Sequence, residues 1–212
     1  MKRITEQDIQ GMEKVFRLNL INSITGYKPA NLIGTAGADG ATNLAIFSSV
    51  VHLGSNPPFI GMFTRPTTVP RHTYENIKAT GRYTINHVQA SFVAQAHYTS
   101  ADFPREESEF VACDLTPEFL HDFPAPYVQE SQIKMGLELV EEVAVKATGT
   151  IMLVGKVIDL YLPENLLRPD GTVNLNAAAD VAISGLDAYH TVQELAAYEY
   201  ARVGQGPRQK SE

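Results

Sequence analysis

Asn31-Leu32-Ile33-Gly34-Thr35-Ala36-Gly37-Ala38-Asp39-Gly40-Ala41-Thr42-Asn43 is the stretch on which the fold turns. Its glycines invite comparison with the dinucleotide-binding fingerprint G-x-G-x-x-G. The spacing here is G-x-x-G-x-x-G, and a strand-like rather than a helical pattern follows it. Residues 31–36 have the apolar and β-branched texture of a strand, and Ala38-Asp39-Gly40 is a turn signal. Residues 43–53, rich in Val, Ile and Phe, read as a second strand. The stretch is a β-hairpin, not the glycine-rich turn of a doubly wound α/β sheet.

The same texture continues outward. Pro57-Pro58 leads into a third strand at 59–64, as suits a strand start. A short helix is expected at about 73–79, a strand at 83–88 and a helical stretch near 91–98. Residues 100–129 are rich in Pro, Phe and acids and read as loop. Two long strands follow at 137–146 and 150–162, and Asp170-Gly171 marks a late turn. Upstream, Ile9, Met12, Val15, Phe16 and Leu20 recur at helical spacings, which predicts one amphipathic helix over 7–23 with Gly26 just beyond its end. Gly204-Gln205-Gly206-Pro207 suggests a frayed tail over 204–212. Many strands without regular strand–helix alternation indicate a mainly β chain, an antiparallel β-barrel with flanking helices, built as one domain over residues 1–212.

Composition bounds the function. With 44% hydrophobic and 19% charged residues the chain has an ordinary globular balance. Its net charge of −7 argues against general binding to nucleic acid or to an anionic membrane, so an anionic ligand needs a local basic patch. One cysteine, Cys113, excludes a disulfide framework, and its acidic surroundings argue against a reactive thiolate. The N-terminus has no apolar signal segment, so a cytoplasmic location is expected. The uncharged run 41–64 is long enough to span a bilayer, but Asn43, Ser48, Ser49, His52, Asn56 and the Pro pair make it unfit to do so. The six histidines lack metal-ligand spacing; His72, His87 and His97 read as scattered, and no metal site is expected. Walker, zincin and nucleophile-elbow motifs are absent, and no catalytic side chain stands out.

One segment reverses the charge of the chain. Residues 59–82 hold Arg65, Arg71, Lys78 and Arg82 against a single acid, Glu75. Within it, Arg65-Pro66-Thr67-Thr68-Val69-Pro70-Arg71-His72-Thr73 concentrates arginines and hydroxyls before a helix. A helix N-terminus presents free N–H groups, and arginine matches phosphate oxygens with paired hydrogen bonds. A capped helix with a solvated basic face explains the same residues equally well. Upstream, the small side chains Ala45, Ser48 and Ser49 leave room for a flat ring against the backbone, with Asn43, Ala45 and Phe47 on one face and Leu44, Ile46 and Ser48 on the other. A partly buried strand with a few hydroxyls fits that pattern as well.

In their order and spacing, Gly40-Ala41-Thr42-Asn43-Leu44-Ala45, Ser48-Ser49, Asn56-Pro57-Pro58, Arg71-His72-Thr73-Tyr74-Glu75-Asn76-Ile77, Gly81-Arg82-Tyr83-Thr84-Ile85-Asn86 and Ser108-Glu109-Phe110 resemble the flavin reductase-like family of FMN-binding split barrels. The resemblance, which runs from about residue 24 to 189, implies a Greek-key antiparallel split β-barrel and a homodimer binding FMN near the subunit interface. It implies a flavoprotein oxidoreductase that moves hydride from NADH or NADPH to flavin and passes electrons to an acceptor or a partner oxygenase. A flavoredoxin-like electron carrier and an FMN-dependent oxidase of a small substrate are the alternatives. By carry-over, Asn43, Ala45, Ser48 and Ser49 border the isoalloxazine ring and ribityl chain, and Arg65, Thr67, Thr68, Arg71 and Thr73 surround the phosphate. The N-terminal helix and the long 100–129 loop depart from the small two-component reductases of that family.

Overall fold

The structure, a computed structural model, describes residues 1–210. The hairpin at its centre joins β1 (Asn31–Ala36) to β2 (Thr42–Phe47), paired antiparallel with Ala36 opposite Thr42. Gly40 closes the turn with φ +84°, and its N–H donates to Gly37 O at 3.0 Å. The sheet is completed by β3 (Val50–Ser55), β4 (Pro58–Thr64), β5 (Arg82–His87), β6 (Lys134–Val145) and β7 (Thr150–Tyr161). Its order is β2-β1-β5-β6-β7-β4-β3, antiparallel throughout. β5, β6 and β7 are successive neighbours, and β4, which precedes them, returns beside β7. That is a Greek key.

The expected single strand over 43–53 is instead two. Ser48-Ser49 interrupts it, and the halves lie at opposite edges of the sheet. Phe47 and Val50 are three peptide units apart, so their Cα atoms are separated by about 11 Å at most. The sheet must therefore curl until its edges approach. No ladder joins β2 to β3, and the barrel is split there.

Strand alternation divides the core in two. Ile33, Ile85, Leu137 and Leu153 point into the barrel with Met62, Tyr83 and Ile77. Leu32, Leu44 and Val88 point outward, against Phe92, Phe110 and Val128. Phe92 leads into helix Val93–Tyr98, and Phe110 belongs to the short helix Glu109–Ala112. Glycines make room on both faces: a Cβ at Gly155 would collide with Tyr83 Oη inside the barrel, and one at Gly136 with Tyr127 Oη on the outer face.

Two expectations at the chain ends are corrected. The N-terminal helix is two helices, α1 (Glu6–Gly11) and α2 (Lys14–Ser23). They separate because Glu13 caps the second, its carboxylate accepting from Val15 N at 2.9 Å and Phe16 N at 3.1 Å. Their apolar residues cover no core: Val15 and Phe16 are each 60% exposed. Beyond residue 162, where no strand was expected, Val181–Ser184 pairs with Ala188–Thr191 and with Lys28–Pro29 in a small second sheet. Glu199 N donates to Arg208 O at 2.9 Å, and Lys210 pairs with Asp170 at 2.7 Å; residues 211 and 212 lie outside the described residues. Among the described residues no helix is long and apolar enough to cross a membrane.

Candidate functional site

The basic segment is anchored by helix α3 (His72–Thr80), one residue longer at each end than expected, with Arg71 as its N-cap. No side chain caps that N-terminus. The loop before it is folded back on itself: Arg71 Nε donates to Pro66 O at 3.3 Å, and Arg71 N to Glu75 Oε1 at 3.1 Å. Of the four cations in 59–82, two have counter-charges. Lys78 pairs with Glu142, and Arg82 with Glu138 at 3.0 Å. Among the described residues Arg65 and Arg71 pair with no carboxylate, and the exposed Thr67 and Thr68 hydroxyls have no protein partner. Unpaired and accessible, these guanidiniums are open equally to solvent and to an anionic ligand. The donor set has the chemistry of an anion site.

The predicted residues of β2 fall into different roles. Asn43 Nδ2 donates to Thr73 Oγ1 at 3.0 Å, and both residues are buried. This bond joins strand to helix, and among the described residues it leaves the Asn43 Oδ1 and the Thr73 hydroxyl proton without a side-chain partner. Asn76 adds a parallel tie, donating to Thr35 Oγ1 at 3.1 Å. Ser49 Oγ donates to Phe63 O at 2.9 Å and accepts from Phe63 N at 3.2 Å. It extends the ladder at the end of β4, two residues before Arg65, and so brings the Ser48-Ser49 bend beside the basic loop. Ala45, opposite Ile33, and Ser48 are partly buried, and among the described residues the Ser48 hydroxyl bonds to no protein group.

Three residues of the 100–129 loop escaped the sequence reading. Arg105 pairs with Glu75 of α3 at 2.6 Å, Ser108 Oγ meets Thr42 Oγ1 at 2.8 Å, and Glu109 Oε2 accepts from Leu44 N at 2.9 Å. Glu109 is only 7% exposed. Burial pushes its carboxyl up, while bonds from the Leu44 and Glu109 N–H groups and the nearby His72 pull the other way. Ser108-Glu109-Phe110 carried part of the family likeness, but an acid in an acid-rich loop gives no local sign that it is buried. Between this loop, the Gly37–Asn43 corner and α3 lies an open cleft of about 870 Å³, lined by Asp39, Asn43, His72, Glu75 and Arg105 among others. Its acids outnumber its arginine, so it is poorly suited to a phosphate.

The remaining titratable groups lie elsewhere. His87 Nδ1 contacts Asp180 Oδ2 at 2.6 Å and His97 Nδ1 contacts Tyr189 Oη at 3.0 Å, so these two do not converge with His72. Among the described residues no cluster of three His, Cys, Asp or Glu side chains could hold a metal ion. Cys113 is buried, and its thiol is pushed up to about 11 by burial and then by Glu109 and Glu107.

The family model for the flavin reductase like domain matches residues 27–178. Among solved structures, a candidate flavin reductase with a split barrel domain from Shewanella frigidimarina NCIMB 400 is 49% identical, with a TM-score of 0.92 over 95% of this chain and 100% of that one. The flavoredoxin of Desulfovibrio vulgaris (Miyazaki F) is 26% identical, with a TM-score of 0.69 over 85% and 93% of the two chains. Nitrilotriacetate monooxygenase component B from Bacillus cereus is 21% identical, with a TM-score of 0.80 over 92% and 96%; at that identity the likeness is one of fold.

Proposed function

The chain belongs to the flavin reductase like family, and from that premise we propose that it binds FMN and moves hydride from NADH or NADPH to it. The observation that carries this reading is the pair of unpaired arginines, Arg65 and Arg71, flanking the free Thr67 and Thr68 hydroxyls before an uncapped helix. Two guanidinium forks, two hydroxyls and the first amides of α3 match the oxygens of a phosphate monoester. The donor set therefore fits the terminal phosphate of FMN, which riboflavin lacks.

In this reading Arg65, Thr67, Thr68 and Arg71 hold the phosphate. Thr73 and Asn43 fix the head of α3 against β2, so that the phosphate site and the ring site keep one spacing. Ala45, Ser48 and Ser49 border the ring and the ribityl chain. Bound FMN supplies a ring that accepts a hydride at N5, so the chemistry asks for no acid–base triad from the protein. The protein's part is to orient that ring and leave one face open to the nicotinamide.

The assembly in this reading is a homodimer. Its support is uncovered apolar surface: Val15, Phe16 and Ile24 at the N-terminal helices, and Val51, Leu53 and Phe63 on the outer face of β3 and β4. Exposed apolar patches of this kind mark interaction surfaces. A second reading, an FMN electron carrier without a productive nicotinamide site, is favoured by the likeness to flavoredoxin. Anaerobic titration of the FMN-loaded protein with NADH and with NADPH tests the two. Bleaching of the flavin bands by either nucleotide is expected. Flavin that stays oxidised with both would leave the carrier reading in place of the reductase.

A further inference from the structure

β2 is an edge strand. β1 covers one side of it, and its outward N–H groups face away from the sheet. Such groups are costly when buried without a partner. At Leu44, which lies between Asn43 and Ala45, the partner is the carboxylate of Glu109 at 2.9 Å. The connection spans 65 residues of sequence, and it does not stand alone. One residue earlier Ser108 bonds to Thr42 of the same strand, and Arg105 bonds to Glu75, whose other oxygen accepts from Arg71 N. The segment 105–109 thus grips β2 and α3 together, from outside the barrel.

We propose that Glu109 is a positioning residue of the flavin site, which it serves by holding the outer edge of β2 at Leu44. The proposal rests on the reading of β2 as the strand that borders the flavin ring. A site residue keeps its geometry only when neighbouring groups lock it, commonly within about 0.5 Å. The Leu44 N–H is fixed by one acceptor, and that acceptor comes from a loop outside the sheet. Glu109 acts on the ring side of the site. The phosphate side, built on Arg65 and Arg71, is reached from this segment through Glu75 and Arg105 and, beyond Leu44, through the Asn43–Thr73 bond. Loss of Glu109 is therefore felt by riboflavin as well as by FMN. A carboxamide at the same position still offers an acceptor oxygen to Leu44 N–H, so charge is not what the position needs.

The test is titration of the full chain with FMN and with riboflavin, comparing the native protein with Glu109→Ala and Glu109→Gln, followed by flavin fluorescence and the visible spectrum. Glu109→Ala is expected to weaken both flavins about tenfold and to shift the visible bands of the bound ring. Glu109→Gln is expected to stay within about twofold of native and to restore the spectrum. If Glu109→Ala does not fold, Glu109→Asp replaces it: the charge is kept but the side chain is one methylene too short to reach Leu44, and the same loss is expected. Unchanged affinities and spectrum beside a lowered melting temperature would mean that Glu109 serves the fold alone, and the proposal falls. A loss confined to FMN, or a Glu109→Gln protein as weak as Glu109→Ala, also overturns it. A native chain that binds neither flavin overturns the reading beneath it instead, whatever the variants do.

Discussion

Asn43 and Thr73, 30 residues apart and both buried, are joined by a hydrogen bond of 3.0 Å from Asn43 Nδ2 to Thr73 Oγ1. That bond sets the head of α3 against β2, and with it the loop of Arg65 and Arg71 against the Ser48-Ser49 bend. Removing one partner leaves the other buried and unsatisfied. Asn43→Ala or Thr73→Val should each lower stability by about 1–3 kcal/mol. The double variant should lose less than the sum of the two, because both changes delete the same contact. Urea denaturation of the four proteins measures this, and strict additivity would mean that the two side chains act independently.

Tyr83 is fully buried, and among the described residues its hydroxyl has no hydrogen-bond partner, lying over Gly155 in the barrel interior. Burying an unpaired hydroxyl costs about 1–3 kcal/mol. Tyr83→Phe keeps the ring and removes that cost, so its melting temperature should rise. Gly155→Ala should fall, since its methyl would occupy the place of the hydroxyl, and Tyr83→Phe should recover part of the loss. A Tyr83→Phe protein that melts well below native would show that the hydroxyl is bonded after all.

Glu109 gives stability a dependence on pH. Its carboxyl is raised, first by burial, above the ordinary 4.5, so folding favours the protonated form. The stability this contributes is fully present below the ordinary carboxyl value and is lost as pH rises through the raised one. Glu109→Gln has no proton to lose. It should be more stable than native at about pH 7 and no different at about pH 3. Thermal melts at the two pH values check this, and equal melting temperatures at both would mean that the Leu44 N–H bond cancels the cost of burial.

Cys113 should resist alkylation in the folded protein. The thiolate is the reactive form, and this thiol is buried and pushed up to about 11. Iodoacetamide at about pH 8 should leave it unmodified until denaturant is added. Rapid labelling of the native chain would contradict its burial in the core cluster with Phe110.

The hairpin at 31–43 and the long strands after 133 were legible because their signals are local: alternation, turn residues and length. What was not legible depended on distant partners. Ser48-Ser49 looked like the middle of one strand because nothing nearby shows that the chain changes sheet edges there. Glu13 capped a second helix within a run whose apolar spacing read as continuous. Arg65 and Arg71 stood out as cations, yet only the structure separates them from Lys78 and Arg82, whose counter-charges lie on β6. Glu109 is the extreme case, since its contact with Leu44 depends on how a long loop returns to the sheet.

The phosphate clamp bears most directly on the whole account, and one pair of titrations tests it: FMN and riboflavin, each against the native protein and Arg71→Ala. A charge-assisted hydrogen bond contributes about 1.5–3 kcal/mol, so loss of the guanidinium should weaken FMN roughly 10- to 150-fold. Riboflavin has no phosphate for Arg71 to hold, and its affinity should barely change. Equal losses for the two ligands would contradict the clamp and place Arg71 in support of the ring site or the fold.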